Sequence, residues 1–566
     1  MALADITGDG IQDIIVGGRD GKLHAYTGND AKLWEYDTGD MGIVGKAAIG
    51  DLDGDGLMEI VVGAGDTFTP RAHGGLYVLD SRGRLRCSFA TMDTNRDGFR
   101  DGVYSSPALV DLTGDGFLEI VFGSWDFYVR AIRHDCTVLW QNFVHDTVWS
   151  SPAIGDIDRD GFPDIVIGAD AHTAPEYGTA RGGMLHVFDR HGTRHPGFPK
   201  QIDEVIFSAP ALGDINGDGW LDIVVGTGDF WGNPGCGHPE GCTPGVGRYV
   251  NAWNHRGEPL PGWPQPTNAV VFASPALADL DGNGVVDVIV NARDATVHAW
   301  RGDGSAISGW PAKPVTPAGV GATVSYHTDL SPLVADITGN GVREVLLPSN
   351  WEMVVWNNQG SQITRSSFPP PAGTWDLSAD YSITGNPALG DIDGDGLYDL
   401  VVGGATSDGQ QGQIYIWRFT GAPQADDWKM FRRDAHNHGR LSPLPIIAGL
   451  TDNIFLLHPV GSDRDSIETV LGVTVSGENE RIAWNIEVTM PEHVDVDPVP
   501  DTMDPSRVNF NVRVSTYNLP VGVNDLGEVR ISGYVNQQQV AGSPVVVSVS
   551  VYVGNISFNF LPVINQ

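Results

Sequence analysis

Residues 51–59 read DLDGDGLME, and this nine-residue pattern occurs eight times between residues 5 and 399. Its form is Asp-x-(Asp/Asn/Thr)-x-(Asp/Asn)-Gly-apolar-x-(Asp/Glu). Oxygen-bearing side chains at positions 1, 3, 5 and 9 can converge only if the backbone curls about one point, and the glycine at position 6 permits that turn. Four carboxylates held so close repel one another unless a hard divalent cation sits among them, and the economical choice is calcium. Position 7 would add a backbone carbonyl. An EF-hand is excluded, because it needs a bidentate Glu at position 12, whereas here position 2 is Ile or Leu in every copy.

The expected metal ligands follow copy by copy. They are Asp5, Thr7, Asp9 and Asp13; Asp51, Asp53, Asp55 and Glu59; Asp111, Thr113, Asp115 and Glu119; and Asp156, Asp158, Asp160 and Asp164. The second half of the array offers Asp214, Asn216, Asp218 and Asp222; Asp279, Asp281, Asn283 and Asp287; Asp336, Thr338, Asn340 and Glu344; and Asp391, Asp393, Asp395 and Asp399. Ranked by charge, the copies starting at Asp51, Asp156 and Asp391 carry four carboxylates, and the copy at Asp336, with two, is expected to be weakest. A further match, Asp93, Asn95, Asp97 and Asp101, has Thr94 at position 2 and reads as a ninth ion site in an inserted loop. Eight or nine Ca²⁺ ions are therefore expected.

Each loop stands among short β-branched runs separated by Gly, Asp and Asn. Around the third copy these are SSPALVDL, LEIVFGS, YVRAI and TVLWQNF. Such runs predict a four-stranded antiparallel meander. The copies recur about every 55 residues, a propeller-blade period with insertions. SSPALVDLTGDGFLEIVFG, SAPALGDINGDGWLDIVVG and ASPALADLDGNGVVDVIVN resemble the FG-GAP and VCBS repeats of calcium-binding β-propellers, the family that includes the integrin α-subunit head. The resemblance covers residues 1–440 and implies an all-β, eight-bladed β-propeller.

The third strand of every unit carries an apolar or aromatic residue, Tyr26, Leu79, Ile132, Phe188, Trp253, Trp300, Trp356 and Trp417, and blade-to-blade packing is its expected role. After Met1 only Ala2, Leu3 and Ala4 precede the first loop, so the first strand of unit 1 is expected to be truncated. Unit 8 ends in ADDWKMFRRDAHNHGR, and the stretch 428–433 is expected either to complete a blade or to leave closure to another chain.

After a Pro-containing connector at 441–450, period-two alternation in ETVLGVTVSG, IAWNIEVT, RVNFNVRVST, GEVRISGYV and SPVVVSVSVYV predicts a β-sandwich over 451–566. AWNIEV, YNLPVGVNDLGEVRISG and GSPVVVSVSVYV are similar to BACON and related Ig-like modules of bacterial surface proteins.

The net charge is −37, and the eight loops hold over a third of the 71 acidic residues. That charge, without clustered Lys and Arg, excludes nucleic acid as a partner. No apolar run reaches the length of a membrane span. Calcium dependence points to an extracellular or cell-surface address, with the export signal outside this numbering. Of the four cysteines, Cys236 and Cys242 are expected to pair, since with His238 they lack a fourth zinc ligand. Cys87 and Cys136 are read either as a pair or as buried thiols.

The sequence offers no GxSxG, HExxH, P-loop or Rossmann fingerprint, and so no catalytic residue. Long insertions fall at the blade end opposite the acidic loops and bring Tyr177, Phe230, Trp231, Tyr326, Trp375 and Tyr381 forward as candidates for binding a glycan or an extracellular protein. The leading expectation is a binding or adhesion protein. Two alternatives stand: a polysaccharide lyase, since similar eight-bladed propellers include rhamnogalacturonan lyases, and a self-assembling structural subunit, since the apolar end ISFNFLPVI suits a neighbour's sheet edge.

Overall fold

The computed structural model describes residues 1–39, 42–65, 74–94, 96–171, 181–228, 230, 247–315, 329–364, 375–406, 411–424 and 427–441, together with most strands between 446 and 554. Every element among them is a strand or a turn; there is no helix. The chain divides into two compact units, Met1–Leu441 and Ser442–Gln566.

The first unit is an eight-bladed β-propeller. Blade 3 shows the pattern: Ala108–Val110, Glu119–Gly123, Tyr128–Ile132 and Val138–Phe143 form an antiparallel meander, with the acidic loop between its first two strands. Blades 1 to 5 have four such strands, whereas blades 6 and 7 have three, supplemented by bridges such as Trp300 to Ala306 and Trp356 to Gln362. The apolar residues of the second and third strands are buried on both sides because each sheet is stacked between two others. Leu79, Ile132, Phe188 and Trp356 are fully buried in those interfaces, which bears out a packing role for that position.

Two expectations about strands are corrected. The first strand of unit 1, Ala2–Ala4, is not truncated, since the inner strand of every blade is only about three residues long. The Ser-Ser-Pro that precedes these strands is not strand but a latch. Ser106 Oγ accepts the N–H of Lys46 at 2.7 Å and Ser151 Oγ that of Ser106 at 2.9 Å; Ser274 Oγ accepts from Ala209, and Ser331 Oγ from Ser274. A buried backbone donor needs a partner, and the next blade's hydroxyl supplies it.

The stretch 428–433 does not complete a blade either. After Arg418 the chain turns inward past blade 7, where Gly421 lies so close to the carbonyl of Asp336 that a Cβ would stand 1.9 Å from it. Residues 427–441 then run around the centre of the ring. Carbonyls of Trp428, Lys429, Ala435, His436, His438 and Gly439 accept the N–H of Val334, Leu389, Ile49, Leu109, Ile154 and Leu212, the middle residues of six inner strands. The exposed inner edges of those strands would otherwise carry unpaired donors. The histidine cluster belongs to this plug: Asn437 Nδ2 donates to Pro107 O at 2.7 Å, and His438 lies 3.0 Å from Leu109 O.

The ring closes between blades 8 and 1 by the contact used elsewhere. Gly28 abuts the carbonyl of Ile392, where a Cβ would lie at 1.7 Å, just as Gly302 of blade 6 abuts Ile215 of blade 5. Leu3, Ile14, Ala388, Ile392 and Val401 form the junction's core.

The second unit holds two sheets. One runs Ile446–Gly449, Ser466–Ser476, Arg507–Ser515, Val494–Pro500; the other Asn453–Pro459, Val545–Gly554, Gly522–Val535, Ala483–Val488, its first pair parallel. Buried residues alternate, as in Phe510, Val512 and Val514. Ile446–Gly449 pairs with Val473–Ser476, so this part of the expected connector is strand, as its β-branched residues allow, and Leu441 belongs to the plug.

Candidate functional site: acidic loops on one face, an aromatic arc on the other

In every acidic loop the carboxylate at position 1 gathers N–H groups. Asp51 Oδ2 accepts from Gly56 at 2.8 Å, and Asp279 Oδ2 from Gly284 at 2.9 Å. Position 5 is spent on the turn itself: Asp55 Oδ1 accepts from Leu57, Asn283 Oδ1 from Val285 and Asn340 Oδ1 from Val342. Position 9 opens the second strand. One oxygen accepts the N–H of position 2, as in Glu59 to Leu52 and Asp287 to Leu280, and the other faces the loop.

Ligand atoms of positions 1, 3 and 9 come within 4.8 Å of one another in four groups: Asp51, Asp53 and Glu59; Asp156, Asp158 and Asp164; Asp279, Asp281 and Asp287; Asp391, Asp393 and Asp399. These groups could hold metal ions. Their common feature is Asp at position 3, and the Asp279 copy, with three carboxylates, groups with the three copies that carry four. In the copies with Thr7, Thr113, Asn216 or Thr338 at that position a hydroxyl or amide oxygen takes the carboxylate's place; Thr338 Oγ1 lies 3.3 Å from Asp336 Oδ1 and 3.4 Å from Glu344 Oε1. Asn95 lies outside the described residues, yet its loop folds alike, with Asp93 Oδ2 accepting from Gly98 at 3.0 Å and Asp101 Oδ2 from Thr94 at 2.9 Å.

The donor set fits a cation. Asp53 Oδ1, Asp222 Oδ1 and Asp287 Oδ1 are buried without a hydrogen-bond partner. Burial pushes the Asp287 carboxyl up to about 7, that of Asp222 to about 8 and that of Asp156 to about 6. Part of the negative charge is met by the protein itself. Arg86 bridges Asp53 and Glu59 at 2.5 and 2.6 Å, Arg301 lies 2.7 Å from Asp281, Arg418 2.7 Å from Asp393, and His195 2.8 Å from Asp164. Each of the four groups thus has a basic side chain on its outer side.

At the opposite end of the blades, Tyr104, Trp149, Phe207 and Phe272 hold one recurrent place, four residues before each inner strand of blades 3 to 6. Tyr104 stacks on Trp149 at 5.0 Å; Trp149 meets Phe207 at 4.7 Å, and Phe207 meets Phe272 at 5.2 Å. Trp125 joins at 4.5 Å from Trp149, and the Arg293 guanidinium lies 4.8 Å from the Phe272 ring centre. All five rings are half-buried, giving a continuous aromatic arc across four blades. The sequence signal for it is the aromatic that recurs directly ahead of Ser/Ala-Ser/Ala-Pro.

The described members of the expected ligand set are placed as follows. Phe230 donates its N–H to Glu204 Oε2 at 2.9 Å, Trp375 packs 5.1 Å from Phe419, and Tyr381 O–H donates to Gln411 at 3.0 Å. Tyr177, Trp231, Tyr326, Cys236 and Cys242 lie outside the described residues. Cys87 and Cys136 form a disulfide.

Residues 5–62 match an FG-GAP-like repeat, and residues 148–188, 207–234 and 385–417 match the FG-GAP repeat. No curated protein matches the chain. Similar solved structures include BamB from Moraxella catarrhalis, at 13% identity over 75% of this chain and 95% of that one, with a TM-score of 0.45. Another is the V. cholerae biofilm matrix protein Bap1, at 16% over 76% and 89%, TM-score 0.36. BBS1N in complex with ARL6DN is similar at 13% over 75% and 92%, TM-score 0.39. FG-GAP-type repeats are thus matched in blades 1, 4, 5 and 8 of this eight-bladed β-propeller.

Proposed function

We propose that this is a calcium-stabilised binding or adhesion protein of the cell surface or exterior, which offers the aromatic arc to a glycan or protein ligand. The carrying observation is the unbroken contact of Tyr104, Trp149, Phe207 and Phe272, flat faces that stack on sugar rings or apolar side chains. The plug formed by residues 427–441 suits a ligand that lies on this face rather than one that threads the ring. Calcium is the fitting ion because the ligands are all oxygen and the loops are open to several more. The Cys87–Cys136 disulfide favours an oxidising, exterior compartment. The two sheets of the second unit act as an Ig-like spacer or second binding module.

A glycan array and an acidic-polysaccharide panel, run with Ca²⁺ present, test this reading. Binding should fall at least tenfold in Trp149→Ala, with the melting temperature nearly unchanged. Equal binding by that variant sinks the arc as the site. Ultraviolet-absorbing unsaturated product from any polysaccharide would replace binding with lyase chemistry.

A further inference from the structure

Four of the eight blade junctions are sealed in one way. At each, a tryptophan that follows the third strand of one blade donates its indole N–H to a carbonyl in the turn after the third strand of the next blade. Trp34 Nε1 donates to Ser81 O at 2.9 Å, Trp140 to Arg190 O at 2.9 Å, Trp263 to Gly302 O at 2.8 Å and Trp310 to Asn358 O at 3.1 Å. Blade 2 has Cys87 at that place, bonded to Cys136 in the turn of blade 3. At two more junctions the contact is apolar: Phe198 of blade 4 packs against a cluster that includes Trp253 of blade 5, and Trp375 of blade 7 lies 5.1 Å from Phe419 of blade 8.

Among the described residues the eighth junction, between blades 8 and 1, shows no such contact. Blade 8 ends at its third strand, Gly412–Arg418, which among the described residues pairs only with Asp399–Ala405. The chain that would return as a fourth strand is committed to the central plug, held by Gly421 against blade 7, by Tyr398 O–H to Asp427 at 2.7 Å, and by the six carbonyls bonded to inner strands. Beside the open edge lies a groove of about 220 Å³ lined by Ile14, Tyr26, Thr27, Asp30, Ile414 and Ile416. At roughly 30 Å³ for a water molecule, that is room for a ring rather than a solvent site.

The groove's position matches the sealed junctions. Thr27 N–H donates to Ala31 O and Asp30 N–H to Thr27 O, as Asp80 and Gly83 do with Arg84 O and Asp80 O in the turn of blade 2. Gly28 therefore stands where Ser81 accepts an indole, and no indole reaches it among the described residues. Register agrees as well. Trp34 lies opposite Ala25 and Trp140 opposite Ala131; by its pairing with Val401, Ile416 is the corresponding residue of blade 8.

We propose that this edge and groove receive an extended segment of a partner polypeptide as the fourth strand of blade 8. The segment pairs antiparallel with Gly412–Arg418, and a tryptophan opposite Ile416 fills the groove and donates its N–H to the carbonyl of Gly28. Main-chain hydrogen bonds give the affinity and the indole gives the selectivity, which is the division of labour in strand addition to a sheet edge. The inference stands apart from the aromatic arc, which lies at other blades.

A fluorescent peptide with the sequence of residues 31–38, AKLWEYDT, is the probe, titrated into the full chain with Ca²⁺ present. Saturable binding is expected, weakened at least tenfold when the peptide's Trp is replaced by Ala, by Ile416→Trp, which fills the groove, and by Ile414→Lys, which charges it. Melting curves of both variants verify folding, and the Trp-to-Ala peptide tests the idea on unaltered protein. No binding, or equal binding of both peptides, overturns the proposal. So does a concentration-dependent dimer dispersed by Ile414→Lys, which would assign the edge to a second copy of this chain.

Discussion

Cys87 and Cys136, with Cα atoms 6.0 Å apart, join blade 2 to blade 3 at the place where Trp34 and Trp140 hold their junctions by hydrogen bonds. A covalent link over a sequence separation of 49 also restricts the unfolded chain. Cys136→Ser should cost about 2–4 kcal/mol. Denaturant unfolding with and without reductant checks this: reductant should lower the wild-type midpoint and leave the variant's unmoved.

Position 3 of the acidic loops should decide ion binding. Asp281→Asn removes one of three converging carboxylates and should abolish one site, whereas Asn216→Asp supplies the missing one in blade 5 and should add a site. Calorimetric stoichiometry reads both. EGTA should lower the melting temperature of the wild type, and recovery with Ca²⁺ rather than Mg²⁺ is expected of oxygen-rich, irregular sites.

Stability of the metal-free protein should fall as pH rises. Burial raises Asp222 to about 8 and Asp287 to about 7, above the ordinary 3.8. Between those values the folded chain keeps protons that the unfolded chain has lost. The contribution is full below pH 4 and is lost through pH 8, at up to about 1.4 kcal/mol per pH unit for each group. Denaturation of EGTA-treated protein between pH 5 and 8 measures this slope, and saturating Ca²⁺ should flatten it.

Arg432 in the plug is fully buried, its guanidinium donating to the carbonyls of Pro152 and Pro210. Arg432→Leu strands both acceptors and should cost about 2–4 kcal/mol. Urea unfolding is the measurement, and an unchanged midpoint would mean that the plug does not hold blades 4 and 5.

The acidic loops were legible because their geometry is local. Nine consecutive residues contain both the ligands and the glycine that folds them, so Asp51, Asp53 and Glu59 converge as their spacing implies. The blades followed from the same repeat, since alternation and turn residues act over a few positions. The structure adds that the position 5 oxygen is used by the turn itself, at Asn283 as at Asp55.

By itself, then, the sequence determined the repeat, the strand order within a blade and the residues of each acidic loop, all set by neighbours in the chain. Tertiary structure alone decided that residues 427–441 fill the centre of the ring, that Tyr104 meets Trp149, and that the strand Gly412–Arg418 of blade 8 pairs on one side only among the described residues. Those outcomes depend on which distant carbonyl or ring is nearest once eight sheets are packed in a circle, and no local pattern carries that distance.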